Sequence, residues 1–238
     1  MEHSHTPEAI AHRLSLAPQT SYLRDWVYGG IDGAVTTFAV VSGVVGAALE
    51  PRVILILGIA NLAGDGFSMA ASNFLGTRTE LAEREQLTSI EERHIDEQPE
   101  GEREEVRQIY RAKGLSGPAL EEVVASVTSS RARWVETMLV EEYGLAPVPR
   151  APLRAALATF SAFVVAGAVP LAPWLLGSTR PFLHSALTTA AVFVAIGSLK
   201  ARWSVRPAWL SGLETLVVGA AASGLAWAIG RALADTWV

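Results

Sequence analysis

The stretch "YGGIDGAVTTFAVVSGVVGAAL", Tyr28 to Leu49, is an apolar run that carries one carboxylate, Asp32, between glycines. About 20 apolar residues in a helix cross the ~30 Å hydrocarbon core of a bilayer. A charge near the centre of that core costs several kcal/mol unless something compensates it, so Asp32 is either held by partners or put to use. The remainder of the chain supports a membrane setting. Of 238 residues, 50% are hydrophobic and 18% charged, with a mean hydropathy of +0.29, too apolar for an ordinary soluble domain of this size. Acids and bases crowd between Glu80 and Glu142 and are sparse over 26–78 and 151–230, so a polar insert lies between apolar flanks.

Working outward, the apolar runs predict spans near 26–49, 52–77, 152–176, 181–200 and 207–231. The expected fold class is all-α: a polytopic membrane protein of five transmembrane helices with a helical domain inserted between helices 2 and 3, which the charge asymmetry below makes cytoplasmic and the side-chain spacing below makes a candidate metal-binding domain. The division is 1–24, 25–78 (helices 1 and 2), 79–150 (the insert) and 151–238 (helices 3 to 5). The breaks "LEPR" (49–52), "GSTRP" (177–181) and "KARWSVRP" (200–207) are short and turn-like, which predicts antiparallel hairpins. Pro170 and Pro173 are expected to distort the end of the third span. With the N-terminus in the cytosol, Arg13, Arg24, the insert's bases and the cluster Lys200, Arg202, Arg206 fall inside, and only Arg52, Arg180 and Arg231 outside. Trp26, Trp174, Trp203, Trp209 and Trp237 sit at span ends, as an aromatic belt requires.

The start of the chain lacks the basic residues and apolar run of a cleavable signal peptide, and residues 7–16 fit a short amphipathic surface helix. His3, His5 and His12 are competent to capture metal, but the preferred reading is that they belong to a mobile tail. There is no cysteine, so a metal site must use carboxylate, imidazole, amide or thioether groups.

Ionisable groups inside spans are candidate functional residues. His184 and Glu214 lie near span ends, where side chains reach water. Asp32 and Asp65 do not. In "NLAGDGFSMAASNFLG", Asn61, Asp65, Met69 and Ser72 or Asn73 share one helix face, and a polar stripe on a lipid-embedded helix must face protein or a water-filled path. The glycines at 29, 30, 33, 43 and 46 are expected to let the Asp32 helix approach that stripe.

In the insert, helices are expected over 79–98, 101–114 and 116–144. Glu91 with His94 and Glu102 with Glu105 are spaced i, i+3, and Met138 with Glu142 i, i+4, so each pair shares a face. Glu-x-x-His on a helix aims a carboxylate and an imidazole at one ion, a donor set suited to divalent ions such as Fe²⁺ or Mn²⁺. The same helices also carry acids, among them Glu85, Glu92, Glu104 and Glu121, that fit a solvated face paired with arginines.

The segments "YGGIDGAVTTFAVVSG", "NLAGDGFSMAASNFLGTRTE", "EERH", "EGEREEV" and "WVETMLVEEYGL" resemble the vacuolar iron transporter family, which includes the yeast calcium-cross-complementer type and plant nodulin-like relatives. The resemblance implies a homodimer of five-span protomers in a lipid bilayer, with no nucleic-acid partner and no prosthetic group. It implies proton-coupled export of Fe²⁺ from the cytosol, with Mn²⁺, Co²⁺ and Zn²⁺ as further candidate ions. By position, Asp32 and Met69 match its transport-path acid and methionine, and Glu91, Glu102, Glu105, Met138 and Glu142 its metal-gathering residues. This chain departs from the plant pattern at Asn61, where the family has glutamate and Asp65 one turn on is a substitute. It departs again at His94, another glutamate in the family, and at Leu139, where a second methionine is missing. The competing reading from the Glu-x-x-His helix is a membrane-tethered ferroxidase or iron-binding protein. The membrane is the plasma membrane in a bacterium and the vacuolar membrane in a eukaryote.

Overall fold

The computed structural model describes residues 4–16, 20–203 and 205–237, with all their side chains except those of Asp235 and Trp237. His3 and the Trp237 side chain lie outside the described residues. Helices run in chain order as α1 (Pro7–Ser15), α2 (Leu23–Gly46), α3 (Pro51–Glu97), α4 (Pro99–Ala112), α5 (Gly117–Thr128), α6 (Arg131–Glu141), α7 (Pro152–Ala168), α8 (Ala172–Leu175), α9 (Pro181–Lys200) and α10 (Ala208–Trp237). No strand occurs among the described residues. They form two compact units: residues 21–76 with 151–238, and 1–20 with 77–150. Five helical stretches are long and apolar enough to cross a membrane: Leu23–Gly46, Pro51–Glu97, Pro152–Leu175, Pro181–Trp203 and Ala208–Ala234.

In the apolar unit α2 is the central helix. Without a hydrophobic driving force between helices in lipid, close packing depends on small residues. A Cβ added at Gly29 would lie 2.3 Å from the Thr159 carbonyl oxygen, and one at Gly33 2.3 Å from that of Phe163, so α2 meets α7 backbone to backbone. Gly46 and Gly230 give α10 the same approach: a Cβ at Gly46 would lie 2.3 Å from the Trp227 carbonyl oxygen. The α2 glycines thus serve α7 and α10, which corrects the expectation that they serve α3. α3 meets α2 through Ile54, buried with Phe38, Val41 and Val44, and through a polar tie in which the Asn61 amide donates to Thr36 Oγ1 at 3.2 Å and Thr37 Oγ1 at 3.3 Å.

The third apolar stretch breaks where its prolines stand. α7 stops at Ala168, Val169–Leu171 is a 3₁₀ turn and α8 follows, because proline lacks an N–H and crowds the preceding turn. The Pro170 carbonyl is satisfied from the neighbouring helix by the Ser185 hydroxyl at 2.6 Å. The hairpin between α2 and α3 closes with Ala48 at φ 54 and Leu49 N–H donating to the Val44 carbonyl, before Pro51 opens α3.

The polar unit has its own core: Ile95, Val106, Leu120, Val124, Val127, Trp134, Val135, Met138 and Leu139. The single helix expected over 116–144 is two helices. The Thr128 and Ser129 hydroxyls donate to the Val124 and Ser126 carbonyls, offering the backbone an alternative to the helix ladder, and Ser130 turns extended before α6. Arg131 clamps the Asp96 carboxylate with two nitrogens, and Arg107 bridges Glu104 and Glu121, so those acids belong to a solvated, paired face. Residues 7–15 are helical, as expected, and no α1 residue is buried.

Replacing Gly33 by valine should lower the melting temperature of the detergent-solubilised chain, by about 1–3 kcal/mol of overpacking in α2–α7. Gly224→Ala, where an added Cβ meets open space, should leave it unchanged or raise it slightly, as thermal-shift measurements can check.

Candidate functional site

Two acidic clusters stand out, one in each unit. In the apolar unit, α2, α3 and α7 enclose a cavity of about 590 Å³ lined by Arg24, Asp25, Tyr28, Asp32, Met69, Ser72, Asn73 and Thr159. Asp32 and Met69, expected to share a path, do face the same space. One wall is a fixed polar knot. Asn73 donates to Asp25 Oδ1 at 2.9 Å, to Thr159 Oγ1 at 2.7 Å and to the Ala155 carbonyl at 3.4 Å, while Asp25 is 8% exposed. Asn61 sits one turn beyond Asp65, spent on the two threonines, and Thr36 in turn donates to the Asp32 carbonyl at 2.9 Å. Asp65 is exposed on α3, and its charge repels that of Asp32.

In the polar unit, Glu91 and His94 of α3 meet Glu102 of α4. Glu91 is 1% exposed and Glu102 5%, although both are acids. His94 Nδ1 lies 3.4 Å from Glu102 Oε1 and 3.9 Å from Glu91 Oε1, and the Tyr143 hydroxyl donates to Glu91 Oε1 at 2.8 Å. The Oε2 atoms of Glu91 and Glu102 are buried and receive no hydrogen bond. Glu105, Met138 and Glu142 line an adjoining cleft of about 350 Å³ with Glu104, Gln108 and Ile109. Among the described residues, no three His, Cys, Asp or Glu side chains are already arranged to hold a metal ion.

The electrostatics follow from crowding. Burial first, then the Glu91 and Glu105 charges, push the Glu102 carboxyl from its ordinary 4.5 up to about 7. Burial, with Glu105 and Glu91, also raises Glu142, while His94 opposes this. Glu102 thus holds a proton near neutrality.

His184 is exposed beside the Ser178 hydroxyl, and Glu214 is exposed and paired with Lys200 at 3.0 Å, as expected of residues near span ends. His5 and His12 are exposed. The sequence reading missed Asp25, Tyr28, Thr159 and Tyr143. The i, i+7 spacing of Asp25 and Asp32 on one helix was a usable signal; Thr159 and Tyr143 lie far from their partners in the chain and gave none.

Residues 23–231 match the model of the VIT family. The chain is 31% identical over 214 residues to vacuolar iron transporter 2 of Oryza sativa subsp. japonica, an alignment covering 89% of this chain and 87% of that one. Vacuolar iron transporter 1 of Tulipa gesneriana is 30% identical over 217 residues, covering 90% and 88% respectively. Over 162 residues, 66% of this chain and 53% of the other, a vacuolar iron transporter of Toxoplasma gondii is 33% identical.

The raised Glu102 carboxyl makes the polar unit pH-sensitive. Its stabilising contribution is fully present below 4.5 and is lost as pH rises through about 7, because the folded state binds the proton more tightly than the unfolded one. Melting of the metal-free protein should therefore fall between pH 5 and 8.5, and Glu102→Gln should flatten that slope.

Proposed function

This chain belongs to the VIT family, and on that premise we propose that it is a secondary transporter moving Fe²⁺ out of the cytosol in exchange for protons. Mn²⁺, Co²⁺ and Zn²⁺ are the other candidate cargoes. The observation that carries the reading is the cavity in which an acid of one spanning helix, Asp32, faces a thioether of another, Met69. A carboxylate between helices alternates between a proton and a dication, since both compete for the same oxygens, and that alternation is the physical basis of antiport. The thioether adds a polarizable contact, weak enough to let the ion leave. Asp65, exposed one turn from Met69 and within electrostatic reach of Asp32, extends the acidic lining, and Asn61 braces α3 against α2.

The exposed face of α3 supports a homodimer. Only 22% of its most apolar window is buried, and Asp65 and Ser72 lie bare along it. A carboxylate turned toward hydrocarbon is costly, so a second copy would cover this face and enclose a wet path.

The polar unit then serves as the ion-gathering domain on the cytosolic side. Glu91, His94, Glu102, Glu105, Met138 and Glu142 offer hard oxygens, one imidazole and one thioether, a set suited to borderline divalent ions. Because these side chains are gathered but not closed around an ion, loading draws them inward. An enzymatic alternative, a ferroxidase, finds no support in relatives named as transporters.

Proteoliposomes loaded with a pH gradient should take up Fe²⁺ through the wild-type chain. Asp32→Ala should abolish that flux while the polar unit keeps its ion binding, read by equilibrium dialysis. Flux retained in Asp32→Ala would remove Asp32 from the path. Replacing Glu102 and Glu105 together by alanine should lower the bound-ion stoichiometry, and an unchanged value would return both to a solvated face.

A further inference from the structure

The placement of Tyr143, the neighbour of Glu91, is tightly fixed. It stands just past the Glu142 cap of α6, with its N–H on the Met138 carbonyl, and the chain then turns at Gly144, φ +69, so that Leu145 N–H reaches the Leu139 carbonyl. Its ring packs on the core of the polar unit beside Met138 and Leu139. The hydroxyl is therefore aimed by backbone and core, and it donates to Glu91 Oε1 at 2.8 Å.

The oxygens of the two buried acids divide in the same way. On Glu91, Oε1 takes the Tyr143 hydroxyl and faces His94 Nδ1 at 3.9 Å. On Glu102, Oε1 faces that same nitrogen at 3.4 Å. The two Oε2 atoms are buried and receive no hydrogen bond from a hydroxyl, amide or cationic donor; the one bond open to the pair is between the acids themselves, when Glu102 carries its proton. Buried carboxylate oxygens are ordinarily hydrogen-bonded, and a bare one calls for a proton or a cation. Left alone, a carboxylate turns freely about its terminal torsion, which is broad and two-fold. A tyrosine hydroxyl, neutral at physiological pH with one proton to give, breaks that symmetry.

We propose that Tyr143 is a positioning residue of the ion-gathering site: by fixing Glu91 through Oε1 it presents Oε2, together with Glu102 Oε2, as the oxygen pair that receives the incoming divalent cation. The proposal rests on the reading of the polar unit as an ion-binding domain. Hydrogen-bond partners of ligating carboxylates typically govern affinity by 10–100-fold, and that is the size of effect expected here.

The test uses the full-length protein in detergent with Co²⁺ as probe, whose visible bands report ligand geometry. Tyr143→Phe keeps the ring and should leave metal-free melting within a few degrees of wild type. It should weaken Co²⁺ binding by about 10–100-fold and shift the bands. In a Glu91→Gln background, which is itself weakened, adding Tyr143→Phe should cost little more, because the hydroxyl acts through that carboxylate. Binding and bands unchanged in Tyr143→Phe would overturn the proposal, and so would an equal loss in both backgrounds, the mark of a merely structural tyrosine. If wild type binds no Co²⁺, or Glu91→Gln binds as wild type does, the ion-gathering reading falls and the proposal with it.

Discussion

Uncompensated negative charge cannot be kept out of water, and the arrangement of this chain follows from that constraint. Asp25 is buried at the start of α2, and it is tolerated because the Asn73 amide reaches it and, on the other side, Thr159 and a carbonyl of α7. That single amide joins three helices where lipid supplies no hydrophobic force to join them. Asp32, further along the same helix, opens instead on a cavity large enough for water or an ion. The polar unit buries Glu91 and Glu102 against each other, and there compensation is partial, since one oxygen of each has no donor.

The fold was legible wherever a local rule sets it. Apolar runs of spanning length, prolines at helix starts and the proline break after Ala168 all act over a few residues, and the helices begin and end close to where those signals stand. What stayed hidden were choices made in three dimensions. Glycines on α2 announce that some helix comes close, but only the assembled chain shows that Thr159, Phe163 and Trp227 present their carbonyls there. The break at Ser129–Ser130 was readable in principle, since consecutive hydroxyl residues compete for helix carbonyls, yet the apolar positions lapse only between Val127 and Trp134 and resume in helical register, which masked it.

The site was legible in part for the same reason. Glu91 with His94 and Glu102 with Glu105 share faces by spacing alone, and the chain brings Glu91, His94 and Glu102 within a few ångströms. Asp32 and Met69 lie on different helices, and their common cavity also fits the expectation of a shared path. Spacing cannot show which acid is buried. Glu102 and Glu104 differ by two positions: one sits at 5% exposure on the core side of α4, the other is taken by Arg107. Nor does spacing reveal Tyr143, which is 52 residues from the carboxylate it holds.

A gathering site that bound its ion too well would be useless to a transporter, because conduction requires release as much as capture. On the proposed reading of the polar unit as an ion-gathering domain, two features would keep it from that trap. Among the described residues no three His, Cys, Asp or Glu side chains are arranged to hold an ion, so part of any binding free energy would go into drawing the acids together. Glu102 near neutrality also holds a proton that an ion bound there would have to displace, so affinity on that reading would be set by a difference between cation and proton and not by the cation alone. Both features come from the same crowding of acids around Glu102. Relieving it with neutral residues would remove the bound proton and the negative charge together, so on the proposed reading the cluster serves best while it remains under-compensated.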